Sequence, residues 1–438
     1  MTTAPLSVAV IGAGMAGKTH ANAWRQAGTV YDLGLPPVRL ATIADAHLPF
    51  AEDAAKRYGY ENAVGDWREV AGDDSIDIVS IVVGNALHRE IAEAMAAAGK
   101  HVLCEKPLAG TLEDAKAMAE LEAKHPDLVL ATGYTFRRNA GIAMLAELAQ
   151  EGALGEVAHL DARYWCDYGA DPNVPMAWRY KGPMGSGALG DVGSHLVDSA
   201  ELIMGPVVEV SGAQLVRTIA ERPVVTGAVA GGRGVTASAD APKEEVENDD
   251  VATFTARFAS GAAGTFSVSR VARGLPNFKN LAVLGTGGSA TWSLDRTGEI
   301  QLADASSPAG LGGLRQVLVN PDFPYFKNGS SMAFGGVGLN QIEQFTYQAH
   351  AFLQQVAGIE DGALPRCASF SDGYRQMRIL GAVAESAERG GAAVGLLAAP
   401  RLGRDGAGDG LDPHHREAGA RPTTGRPRLT AATEHRSA

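Results

Sequence analysis

A lysine held immediately before a proline is the first feature of this chain that could do chemistry. Lys106 lies between Glu105 and Pro107, directly after the apolar run at 101–104. If that run is a parallel strand, the lysine stands at its carboxyl end, where open α/β sheets bind ligands. Pro107 disfavours the helical region for the residue before it, so Lys106 is held extended at the sheet edge. An ammonium there could stabilise charge developing on a reacting oxygen. The same dipeptide also serves as an ordinary solvated turn.

Asp191, His195 and Asp198 form a second group, spaced i, i+4 and i+7. On a helix beginning near Gly190 all three project from one face. Carboxylates on both sides of an imidazole would raise its basicity and fix its tautomer, which suits a general base. Gly185, Gly187, Gly190 and Gly193 surround the group and would let a ligand approach the backbone closely. The structural alternative is a helix N-terminus that favours acidic residues, with a histidine in a core hydrogen bond.

Gly12, Gly14 and Gly17 form GxGxxG between an apolar run and a helix-forming stretch. Such glycines permit a tight turn and bring backbone amides, here those of Met15 and Ala16 among them, up to a pyrophosphate at a helix N-terminus. Residues 12–19, GAGMAGKT, also satisfy GxxxxGKT, the phosphate loop of nucleoside triphosphatases. In that reading Lys18 contacts phosphates and Thr19 a magnesium ion. These eight residues leave both readings open. Asp45, ending the second apolar run, favours the dinucleotide, because a carboxylate there accepts both ribose hydroxyls of an adenosine. Its charge would repel the extra phosphate of NADP and so favours NAD, although Ala46 and His47 do not exclude NADP.

These groups need a scaffold, and the hydrophobic pattern supplies one. Strands are predicted at 6–11, 38–44, 76–83 and 101–104, with helices at 16–27, 51–58 and 86–98 between them. Alternation of this kind implies a parallel, doubly wound α/β sheet of the Rossmann type. Beyond residue 132 the strand-like runs 157–165, 207–216, 251–258, 264–271 and 281–284 follow one another with few helices between, which suits an open, mainly antiparallel sheet. Helices predicted at 142–150, 194–203, 341–356 and 371–389 make this half α+β. The expected organisation is a dinucleotide-binding domain at 1–132, a substrate-binding and oligomerisation domain at 133–397, and a disordered tail at 398–438 rich in Gly, Arg, Pro and Thr.

With 438 residues, 45% of them hydrophobic and 20% charged, the chain has the composition of a folded protein of more than one core. A net charge of −12 argues against nucleic-acid and anionic-membrane partners. No apolar run approaches the roughly 20 residues that span a bilayer, and no leader segment is evident, so a cytoplasmic protein is expected. Cys104, Cys166 and Cys367 lack the spacing of a zinc site or a disulfide framework, and no metal is expected.

The combination of GxGxxGxxH at 12–20, EKP at 105–107 and DxGxHxxD at 191–198 resembles the Gfo/Idh/MocA oxidoreductase family. The resemblance continues through Gly133, Tyr134, Phe136, Arg137 and Asn139, and through Ser386 to Gly391. It implies an NAD-dependent enzyme that pairs as a homodimer or homotetramer through its second sheet. It further implies that Lys106 holds the nicotinamide ribose and a substrate hydroxyl, that Asp191 orients the substrate, and that His195 is the general base. Asn85 and His88 resemble the family's TPNxxH turn beside the cofactor, with Val83 and Gly84 in place of its Thr and Pro. Tyr164, Asp167, Asp171, Pro172, Pro175, Trp178 and Arg179 are similar to the levoglucosan dehydrogenase-like and inositol dehydrogenase-like branch. That similarity implies a carbohydrate or cyclitol substrate touching Asn139, Tyr164, Asp167, Trp178 and Arg179. Two other readings are a dinucleotide-binding regulatory protein without turnover and, more remotely, the triphosphatase.

Overall fold

The computed structural model describes residues 4–31, 34–182, 186–225, 237–238, 241–305, 308, 310–326, 334–337 and 340–396. The tail expected at 398–438, and Gly185, lie outside the described residues.

The first half alternates strand and helix: β1 (Leu6–Ile11), α1 (Met15–Ala27), β2 (Val38–Ala44), α2 (Leu48–Tyr58), β3 (Asn62–Val64), α3 (Trp67–Ala71), β4 (Ile78–Ile81), α4 (His88–Ala97), β5 (His101–Cys104), α5 (Leu112–Lys124) and β6 (Leu130–Thr132). Its central strands are predominantly apolar because both faces are covered by helices, and every residue of β4, Ser80 included, is buried. The predicted strand at 76–83 is shorter than expected, and the helix predicted at 86–98 begins with a 3-10 turn at Asn85–Leu87. Strand β1 lies between β2 and β4, all parallel. The order of the sheet reverses there, which opens a crevice at the carboxyl ends of β1 and β4.

The second half contains α6 (Ala140–Gln150), β7 (Val157–Trp165), α7 (Ser194–Met204), β8 (Val207–Val216), β9 (Glu221–Pro223), β10 (Lys243–Glu245), β11 (Val251–Phe258), β12 (Ala263–Ser269), β13 (Phe278–Gly285), β14 (Gly288–Ser293), β15 (Glu299–Asp304), β16 (Arg315–Leu318), α8 (Gln341–Val356), β17 (Ala368–Ser369), α9 (Phe370–Glu388) and β18 (Val394–Gly395). Nine strands form one sheet in the order β16-β15-β14-β13-β7-β12-β11-β8-β18. Its pairings are antiparallel except β7 with β12. Alternation in β11 and β13 turns one residue in two toward the helices α6, α7 and α9, which pack on one face. Strands β14 to β16 have no counterpart in the sequence reading, because β16 is polar and largely exposed and carries little of the period-two signal.

Three connections bind the halves together. Helix α8 packs on α1, and α9 packs on α5, while β17 joins the first sheet beside β6. One apolar core consequently runs from Val8, Val10 and Trp24 under β1 to Leu160, Leu281 and Val283 under the second sheet. The crevice of the parallel sheet is thereby walled by the second half. Among the described residues no helix is long and apolar enough to cross a membrane.

Candidate active site

The glycine turn divides its work among three positions. Gly12 has φ +106°, and a Cβ on it would stand 2.1 Å from the Val82 carbonyl oxygen. A Cβ on Gly17 would stand 1.8 Å from the Gly12 carbonyl oxygen, so α1 packs onto the turn more closely than any side chain permits. At Gly14 a Cβ would meet nothing within 4 Å, because that residue faces an open cavity. No side chain caps α1 there. The free amides and positive end of the helix suit an anionic diphosphate. Asp45 accepts from the Ala13 amide at 2.7 Å and from the His47 amide at 2.8 Å, one on each oxygen, which leaves lone pairs for ribose hydroxyls. These residues fit an adenine dinucleotide. They do not fit a phosphate loop, because Lys18 is paired with Asp53 at 2.8 Å and the Thr19 hydroxyl donates to the Met15 carbonyl at 3.0 Å.

Behind the turn, His20 Nε2 lies 3.0 Å from Glu105 Oε1 and its Nδ1 lies 3.3 Å from Ser80 Oγ. This fixes Glu105 at the end of β5. A Cβ on Gly133 would stand 2.6 Å from the same carboxylate oxygen, which accounts for glycine there. Lys106 follows, with Nζ donating to the Asp191 carbonyl at 2.8 Å and to Asp191 Oδ1 at 3.1 Å. The Tyr168 hydroxyl donates to Asp191 Oδ2 at 2.6 Å, and Arg179 Nε lies 3.9 Å away. Burial opposes the charge on Asp191. Lys106, then Arg179 and Tyr168, outweigh it and hold the carboxyl well below the usual carboxylate range.

His195 sits among aromatic rings, with centroids 5.0 Å from Phe136, 6.2 Å from Tyr164 and 6.5 Å from Tyr134. Burial first, then the positive charges of Lys106 and Lys279, push its imidazole well below the usual histidine range. The ring is therefore neutral near pH 7. This corrects the expectation of a histidine made more basic by two flanking carboxylates. Asp198 is buried and bound by Arg137 at 2.7 and 2.9 Å, and Asp191 is taken up by Lys106. Residues Leu189–Gly193 form a π-helical turn ahead of α7. Such a turn holds more residues than an α-helical one, so the i, i+4, i+7 register does not carry through it.

A cavity of about 370 Å³ brings together Gly14, Met15, Ala16, Gly17, Asn85, Glu105, Lys106, Tyr164, Trp178, Arg179, Asp191 and His195. Asn85 is oriented by Ser186 at 3.0 Å. The Trp178 indole lies across the turn at Gly84, where a Cβ would stand 3.8 Å from the ring, and so bridges the halves at the cavity. Gly12 and Asp45 support the turn from beside the cavity. Three expected site residues lie elsewhere. His88 is fully buried, with its ring nitrogens 3.1 and 3.2 Å from the Leu108 and Val83 carbonyls, to one of which a neutral ring donates. Asn139 caps α6 by accepting from the Gly141 and Ile142 amides. Asp167 does not line the wall, while its neighbour Tyr168 does. Sequence reasoning missed Tyr168, Tyr180, Gln341 and Phe345. The last two come from the first turns of α8, more than 140 residues past His195, and no local signal marks them. Among the described residues no three of His, Cys, Asp and Glu form a metal-ligand group.

Two family profiles match the chain: an oxidoreductase family with an NAD-binding Rossmann fold over residues 6–134, and the GFO/IDH/MocA C-terminal domain over 142–291. The chain is 37% identical over 387 residues to levoglucosan dehydrogenase of Pseudarthrobacter phenanthrenivorans, covering 88% of this chain and 96% of that protein. It is 28% identical over 267 residues to myo-inositol 2-dehydrogenase of Thermotoga maritima, covering 60% and 69% respectively. The structure of a levoglucosan dehydrogenase in complex with NADH and L-sorbose superimposes with a TM-score of 0.81 at 35% identity, over 89% of this chain and 98% of that one. The glycine turn, the carboxylate at β2 and these matches agree, and the chain belongs to the Gfo/Idh/MocA family of oxidoreductases, with an NAD-binding Rossmann domain as its first half.

Proposed function

We propose that the chain oxidises a secondary hydroxyl of a sugar, anhydrosugar or cyclitol to a ketone, with NAD as the acceptor. One juxtaposition carries the reading: Lys106 from the parallel-sheet half meets Asp191 at 3.1 Å, on the same cavity wall as His195. Relatives named for levoglucosan, a glucoside and myo-inositol support the substrate class. Tyr164 and Trp178 offer ring faces to the C–H surface of a sugar, and Arg179 and Asn85 offer donors to its hydroxyls.

The neutral imidazole of His195 takes the hydroxyl proton. The Lys106 ammonium, fixed by Asp191, donates to the same oxygen and stabilises the alkoxide charge. Bound NAD supplies the acceptor for the hydride that leaves the carbinol carbon. Burial and nearby cations disfavour the imidazolium, so His195 readily passes its proton on. As family members do by resemblance, the chain forms a homodimer or homotetramer through the uncovered face of the nine-stranded sheet, where Trp165 and Phe278 stack at 5.8 Å, and acts in the cytoplasm. The deciding assay is a panel of anhydrosugars, pyranoses and inositols with NAD and NADP, followed by absorbance of the reduced cofactor. Turnover of one of these classes with NAD is expected, and none with any polyol would overturn the reading.

A further inference from the structure

We propose that Lys279 is a positioning residue for His195: from inside the second core it holds the turn that carries the imidazole and sets a cation beneath it. The inference rests on His195 as the proton acceptor proposed above.

Strand β13 turns Lys279, Leu281 and Val283 toward the helices, and all three are fully buried. A lysine in an apolar row is costly unless its ammonium is well used. Here Nζ donates to the His195 carbonyl at 3.2 Å and to Ser199 Oγ at 2.7 Å. The Ser199 hydroxyl itself donates to that carbonyl at 2.9 Å, which closes a small network on the first turn of α7. The ammonium also stands 3.8 Å from the centroid of Phe136, whose ring meets the imidazole edge-on at 5.0 Å. Lys279 thus holds both the backbone of His195 and the ring that flanks it.

The charges around it leave its own charge thinly supported. Asp198 on α7 is the carboxylate that favours the ammonium, and Arg137 engages both its oxygens. Tyr164 on β7 faces Nζ with its ring centroid at 5.8 Å. Lys106 and Asp191 bear on the imidazole as well and oppose one another there. Burial draws the Lys279 ammonium down to about 7, against which Asp198 works. A protonated Lys279 makes protonation of His195 harder.

The test uses the full chain and the variants Lys279→Gln, which keeps a hydrogen-bond donor without charge, and Lys279→Met, which suits the apolar surroundings should the first fail to fold. Histidine ring nitrogens are followed by NMR against pH, with the His195 signal identified by its loss in His195→Asn. In either variant the His195 midpoint should rise by about one pH unit, as expected for removing a cation at this range. The acid limb of kcat/KM should rise with it, while NADH affinity stays unchanged. An unmoved His195 midpoint in a folded variant would overturn the proposal. Persistence of the acid limb in His195→Asn would instead refute His195 as the base, and the NMR midpoint still reads the effect of Lys279.

Discussion

The proton-accepting role proposed for His195 rests on what surrounds the ring. The ring is poorly solvated and lies near two cations, so it stays neutral and available where a free histidine would be partly charged. The complementary task proposed for Lys106 rests on its contact with Asp191. His195→Asn and Lys106→Ala should each lower kcat by about 10²- to 10⁴-fold. NADH affinity, measured by fluorescence, should change little in His195→Asn, since His195 forms no part of the diphosphate turn. Asp45 bears on cofactor choice. Asp45→Ala should lower kcat/KM for NAD about tenfold and narrow the preference over NADP, because ribose hydroxyls lose an acceptor and a repulsive charge is gone. Equal selectivity in the variant would place the discrimination elsewhere. Residue type and spacing singled out Lys106 and His195, and both line the same cavity. Asn139 accepts from two helix amides, and in sequence such a cap looks like any other polar residue near a site.

At the scale of elements, the first βα unit carries its instructions locally. Gly17 is required by packing and Gly14 by the ligand, so the two positions respond differently to the same change. Gly17→Ala would set a methyl against a backbone carbonyl and should destabilise the protein by about 2 kcal/mol or more, read as a fall in melting temperature. Gly14→Ala meets no neighbour and should melt like the parent, yet bind NADH about tenfold more weakly, because the methyl occupies the space before the helix amides. Similar losses of stability in both would contradict this division. The π-helical turn at Leu189–Gly193 is the opposite case. Periodicity arguments assume 3.6 residues per turn, and the widened turn escapes them.

Across the whole molecule, the buried Lys279 links stability to pH. In the unfolded chain a lysine keeps its proton to about 10.4, whereas in the folded protein this one is held near 7. Below pH 7 both states are protonated and the cost of burying the charge is complete. Between 7 and about 10.4 the unfolded state binds more protons, so stability rises with pH. Denaturant unfolding should show a gain of about 2 kcal/mol from pH 7 to 9 in the parent and a clearly smaller one in Lys279→Met. Buried, neutral His195 acts in the same direction at lower pH, since stability falls as pH drops below about 6.5, where the unfolded histidine takes up a proton.

The sequence by itself determined the strand and helix alternation of the first half, the antiparallel character of the second, and the glycine turn. Each of these follows from constraints between near neighbours: side-chain period, backbone freedom at glycine, and the restriction that a proline imposes. Only the tertiary structure decided that Lys106 and Asp191 meet, 85 residues apart, that Asp198 belongs to Arg137, and that a lysine from β13 lies under the imidazole. Charge and burial act through space, so even the direction in which His195 is shifted was set by groups that no local pattern brings together.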